Sequence, residues 1–161
     1  MRTLGGHMEP TVSTASAELA AVRARRAELR EAMGRLERAL AAAASGRSVV
    51  WGEQVHAILI ELAHDFREHI EVTEGAGGLH QAILAGDLRL SNGVNALAAE
   101  HGQIAGEIDE LVSGTEPPVT AQDADVVRKR STQLLSVLIQ HRQRGADLIY
   151  EAYQSDIGGA D

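Results

Sequence analysis

The chain has no cysteine, very few aromatic residues and no long apolar run. The absence of cysteine excludes disulfides, thiolate catalysis, zinc ribbons and iron–sulfur clusters, and it agrees with a reducing compartment. No stretch approaches the roughly 20 apolar residues that cross a bilayer, so we expect no contact with a membrane. We therefore expect a cytoplasmic protein, and its 161 residues suffice for one domain with its own core.

The sequence also lacks the charge pattern of a nucleic-acid-binding protein. The formal net charge is −8 and aromatic residues make up only 2% of the chain. Proteins that bind nucleic acid usually present a basic face, and those that bind single strands usually add stacking aromatic side chains. We expect no nucleic-acid partner.

What the sequence does contain is a helical pattern. Alanine, leucine, arginine and glutamate dominate, and apolar residues recur at steps of three and four in four segments, 17–44, 49–74, 91–112 and 120–154. Short connections rich in glycine or proline separate the segments, which makes the paired helices antiparallel neighbours. The pattern predicts an all-α, up-and-down four-helix bundle over residues 17–157, with residues 1–16 as a disordered or tag-like arm.

One polar residue interrupts the apolar stripe of each predicted helix: Arg26, His69, His101 and His141 in turn. A polar residue at a core position is more informative than an apolar one. Counted from the helix ends, His101 and His141 differ in depth by about 12 Å of helix rise, so a longer connection between the third and fourth helices or an offset of the fourth helix is needed to bring them level. Two explanations remain open: a metal site in the bundle core, or a hydrogen-bonded polar layer without metal.

The sequence around these positions resembles the hemerythrin-like, cation-binding family of helical bundles. The stretches that carry the resemblance are Arg26-Ala27-Glu28-Leu29-Arg30, Phe66-Arg67-Glu68-His69-Ile70-Glu71-Val72-Thr73-Glu74, Glu100-His101-Gly102-Gln103-Ile104 and His141-Arg142-Gln143-Arg144. The resemblance implies a four-helix bundle in which the histidines at 69, 101 and 141 occupy metal-ligand positions. Other residues stand where the family has further ligands, namely Arg26, Thr73, Ala105 and Gly145.

These departures argue against a di-iron oxygen carrier, which needs a fuller set of side-chain ligands. The first hypothesis is a mononuclear iron or zinc site on His69, His101 and His141, with Glu74 either completing the site or supporting it from behind, in a protein that senses metal or redox state. The alternative is a metal-free bundle in which the fixed charge of Arg26 takes the place of the metal.

The metal-free bundle would act as a protein-interaction or small-ligand module. An enzyme is the least favoured class, because the chain shows no Ser/His/Asp set, phosphate-binding glycine loop or acid/base carboxylate pair. The expected partner is a metal ion or a small ligand. The sequence indicates no particular protein partner, and it is compatible with a monomer or a homodimer.

Overall fold

The computed structural model describes residues 11–42 and 44–154, and all regular structure within them is helical. The helices are α1 (Thr11–Ala41), α2 (Ser48–Glu74), α3 (Leu79–Gly86), α4 (Ser91–Gly114) and α5 (Ala121–Gln154), with one 3-10 turn at Leu88–Leu90. The predicted all-α class is therefore confirmed. None of the described helices combines the length and the apolar character needed to pass through a membrane.

The helix bounds differ from the predicted ones mainly at the two ends of the first helix. Helix α1 begins at Thr11, so six residues of the predicted N-terminal arm are helical, while residues 1–10 lie outside the described part. Residues 79–86, which lie between the predicted segments, form a further helix, α3. Thr120 caps the last helix, because the backbone N–H of Asp123 donates to its Oγ1 at 3.1 Å.

The four long helices pack in a ring: α1 contacts α2, α2 contacts α4, α4 contacts α5, and α5 contacts α1. Helix α3 lies against all four of them at one end. Buried apolar residues form two separate clusters along the bundle. The larger one extends to the α1–α2 connection and includes Leu29, Trp51, Phe66, Ile104 and Leu138, whereas the smaller one, near α3, consists of Val22, Leu79, Ile83, Val94, Leu97 and Leu148.

The connection between α4 and α5 supplies the offset that the sequence required. Nδ1 of His56 lies 2.9 Å from Oγ1 of Thr115, just after α4 ends. Val119 then packs directly over the backbone of Gly52, one helical turn nearer the N-terminus of α2, where an added Cβ would lie 2.5 Å from the valine side chain. The connection thus carries the chain about 6 Å further from the histidines before α5 begins, which brings His141 closer to the level of His101.

Candidate metal centre

Three histidines from three helices meet between the two apolar clusters. His69 of α2, His101 of α4 and His141 of α5 are 7%, 2% and 2% exposed. On each helix, a residue of one of the apolar clusters lies about one turn from the histidine. On α4, Leu97 precedes His101 and Ile104 follows it. The helical periodicity that buries the apolar stripes therefore also turns these imidazoles inward.

The ring nitrogens of the three histidines converge. Nε2 of His69 lies 3.2 Å from Nε2 of His101 and 3.3 Å from Nε2 of His141. Potential ligand atoms of all three residues lie within 4.8 Å of one another. An ion about 2.1 Å from each nitrogen requires neighbouring nitrogens roughly 3.0–3.4 Å apart in tetrahedral or octahedral geometry. The three residues together could hold a metal ion.

A carboxylate supports each of two histidines on the side away from this meeting point. Oε2 of Glu74 lies 2.6 Å from Nδ1 of His101, and Oε2 of Glu100 lies 2.7 Å from Nδ1 of His141. A carboxylate accepts a hydrogen bond from the Nδ1–H, which leaves the lone pair of each Nε2 directed inward. Arg144 also pairs with Glu100. Burial opposes ionisation of Glu100, but His141 and Arg144 outweigh it and lower the pKa of this carboxyl.

His69 is supported differently from the other two. Its Nδ1 is buried and has no hydrogen-bond partner in the structure. Burial, followed by the neighbouring His101, His141 and Arg26, lowers its pKa from 6.5 to about 3. The imidazole is therefore neutral at physiological pH, which is the protonation state that a metal ligand needs.

A small cavity lies beside the histidine cluster. Its volume is about 30 Å³, and its walls carry no carboxylate. The residues that line it are Val22, Arg26, His69, Thr73, Leu79, His80, Leu97, His101, His141, Arg142, Gly145, Leu148 and Ile149. A Cβ built on Gly145 would meet nothing within 4 Å, so this glycine leaves open space four residues after His141.

Arg26 borders the same cavity, on the α1 side. Its Nη2 donates to the carbonyl of Arg142 at 3.1 Å, and the side chain is half-buried. Burial and the charge of Arg142 lower its pKa, although a guanidinium stays protonated at any ordinary pH. Among the described residues, no carboxylate lies within ion-pair distance of Arg26.

The structure thus brings together the predicted histidines and places Glu74 behind His101 rather than among the converging nitrogens. Thr73, at a position where the resemblance implied a further ligand, donates its hydroxyl back to the carbonyl of His69. The sequence reasoning missed Glu100, although it directly precedes His101. It also missed His80 as a member of the cluster: this residue is buried, and its ring stacks on that of His101 with 5.8 Å between the ring centroids.

A signal for His80 was present in the sequence. It lies between Leu79 and Ile83, whose four-residue spacing marks the buried face of a short helix. Glu100 had no comparable signal, because one residue before an inward histidine is about 100° around the helix and is ordinarily a flank position. Only the contact between α4 and α5 shows that it reaches His141.

Comparisons with protein-family models, with curated proteins and with solved structures give no match to this chain. The function is therefore inferred from the arrangement of the side chains and not from similarity to known proteins.

Proposed function

We propose that this chain is a hemerythrin-like, up-and-down four-helix bundle that binds one metal ion, zinc or ferrous iron, on His69, His101 and His141. Its role would be to sense metal or redox state rather than to carry oxygen. One observation carries the proposal: three buried imidazole Nε2 atoms converge, and carboxylates hold two of those imidazoles with the lone pairs inward.

Counting protons supports a cation at this point. In their neutral forms, His101 and His141 each use their one N–H toward a glutamate, which leaves a lone pair and no proton on each Nε2. His69 can donate from Nε2 to only one of them, and it then leaves the other lone pair unsatisfied. If its proton is on Nδ1, that donor has no acceptor. Each tautomer leaves a buried group unpaired, and a metal ion at the meeting point satisfies all three Nε2 atoms.

The carboxylates strengthen the argument because a metal-ligating histidine typically donates its other N–H to such a group. Glu74 and Glu100 also supply negative charge close to the site, which offsets the charge of a bound divalent ion. The bound ion would act as a Lewis acid with a coordination position open on the cavity side.

A sensing role is consistent with the position of the cluster. The three ligands come from α2, α4 and α5, and they lie between the two apolar clusters. Binding of an ion would tie three helices together at a level where apolar packing is interrupted. Metal occupancy would then change the stability of the whole bundle, which is the property a sensor needs.

The metal-free alternative is favoured by Arg26, whose fixed positive charge borders the cavity and repels a metal ion. In that case the bundle would be a protein-interaction or small-ligand module.

Metal analysis distinguishes the metal-binding bundle from the metal-free one. Protein purified without a nickel column and reconstituted with zinc or anaerobic ferrous iron should retain one ion per chain after gel filtration.

The ligand set gives a matched pair of variants for this experiment. We expect His101→Ala to lose the ion, whereas His64→Ala, an exposed histidine on α2, should retain it. Chelation by EDTA should lower the melting temperature of the wild type but not that of His101→Ala. Metal-free wild type whose melting does not respond to added metal or to EDTA would establish the alternative.

A further inference from the structure

The cavity beside the histidines has the wrong charge for a second metal ion. Two arginines, Arg26 and Arg142, border it, and the carboxylates Glu74 and Glu100 lie on the far side of the imidazoles. An ion bound by the histidines would thus face the guanidinium of Arg26 across a small, mostly apolar space. Two cations in such a space repel each other strongly unless an anion lies between them.

Both arginines have donors that protein acceptors do not use. Arg26 makes one hydrogen bond, to the carbonyl of Arg142, out of the five that a guanidinium can donate. Nε of Arg142 is buried without an acceptor. Among the polar groups at the wall, the hydroxyl of Thr73 is already committed to the carbonyl of His69. The side chains around the cavity therefore offer unused donors and positive charge.

The size of the cavity limits what can enter. A buried water needs about 10–15 Å³ of comparable volume, so 30 Å³ has room for roughly two or three non-hydrogen atoms. Arg142 borders this cavity and also an outer groove between α1 and α5.

We propose that the cavity binds a small monovalent anion, of the size of formate, nitrite or azide, between the histidine-bound metal ion and Arg26. This inference rests on the proposed metal site. The anion occupies the coordination position left open by the three histidines and accepts hydrogen bonds from Arg26, which determines the preference for an anion over a neutral ligand. Arg26 thus makes metal binding dependent on an anion.

Cobalt(II) provides a visible probe for both steps, because its absorption reports the ligands around the ion. In chloride-free buffer, one equivalent of cobalt should produce a spectrum that His101→Ala does not give, and formate should then shift that spectrum. Formamide, which is neutral and of similar shape, should not shift it. By linkage, formate should also tighten cobalt binding by the factor by which cobalt tightens formate binding.

Arg26→Gln tests the residue that determines the preference. We expect it to weaken formate binding to the cobalt protein roughly 10- to 100-fold, the value of a charge-assisted hydrogen bond, and to tighten cobalt binding in the absence of anions. The matched control is Arg23→Gln, the same change at an exposed position on α1, which should leave both affinities unchanged. Gly145→Val, which adds bulk at a residue lining the cavity, should weaken formate binding while cobalt still binds.

The outcomes separate the two proposals. If cobalt gives no spectrum that depends on His101, the metal site itself is refuted. If the spectrum appears but formate does not shift it, or if Arg26→Gln binds formate as well as Arg23→Gln does, the anion site is refuted while the metal site stands. Should Arg26→Gln not fold, as judged by circular dichroism, the Gly145→Val comparison decides.

Discussion

Replacing His69 by leucine should stabilise the metal-free protein, although it removes a buried and central side chain. In the absence of metal, Nδ1 of His69 is a buried polar atom without a partner, which costs about 1–3 kcal/mol. The loss of the hydrogen bond from His69 costs about 1–3 kcal/mol in turn, because it leaves a neighbouring imidazole lone pair buried without a donor. These two terms roughly cancel, and burial of a leucine against Phe66 then adds about 1.5–3 kcal/mol where the two apolar clusters are interrupted.

The net gain in the free energy of unfolding should be about 2 kcal/mol, which raises the melting temperature by roughly 4–8 °C in a protein of this size. When metal is present, the wild type should be more stable than the variant, because a ligand at a thousand times its Kd adds about 4 kcal/mol to the free energy of unfolding. Urea unfolding of wild type and His69→Leu, each with EDTA and with excess zinc, measures this reversal of order.

An exposed histidine on the same helix provides the control. His64→Leu should change neither stability nor its dependence on zinc. If His69→Leu is less stable than the wild type in EDTA, the orphaned imidazole is not a cost in the metal-free fold. The proton-counting argument for a cation at the cluster would then be wrong.

Three further predictions follow from the same contacts. Glu74→Gln should weaken metal affinity about 10- to 100-fold, measured by competition with a chromophoric chelator, with little change in the unfolding of the metal-free protein. Gly52→Ala should destabilise the fold by about 1–3 kcal/mol in urea unfolding because its Cβ strikes Val119, whereas Gly106→Ala, with nothing within 4 Å, should stabilise it by about 0.5–1 kcal/mol. Because the folded-state pKa of His69 lies below its ordinary value, the unfolded chain takes up a proton at this residue more readily than the folded protein does, so the free energy of unfolding of the metal-free protein should fall by about 1.4 kcal/mol per pH unit as the pH falls from 6.5 toward 3. The measurement is the free energy of unfolding of the wild type and of His69→Leu between pH 6.5 and 3. If the difference between the two proteins does not change with pH, the last prediction is wrong.

The helical class and the polar positions of the bundle follow from periodicity alone. The steps of three and four that place Leu97 and Ile104 in the core also fix the phase of His101 between them. Periodicity says nothing about the relative height of two helices, which is why the depths of His101 and His141 disagreed when counted from the helix ends. Their alignment depends on how the chain crosses α2 between the two helices, and Gly52 permits that crossing.

The contacts of the histidines, too, depend on packing between helices that the sequence pattern does not predict. Glu74 was a candidate from the sequence although its position five residues after His69 turns it about 140° away from that histidine, and it contacts His101 on another helix. The contact of Glu100 with His141 depends on the packing of α5 against α4, and the contact of His80 with His101 depends on the packing of α3 against α4.

The sequence by itself determined that four helices form, which faces they bury and which three histidines interrupt those faces, because helical phase is a local property. Only the tertiary structure decided that the three imidazoles share one level, that carboxylates orient two of them, and that Arg26 borders an acid-free cavity beside them. These features depend on the register and spacing between helices, which arise from packing across the core and cannot be obtained from the order of residues along any one helix.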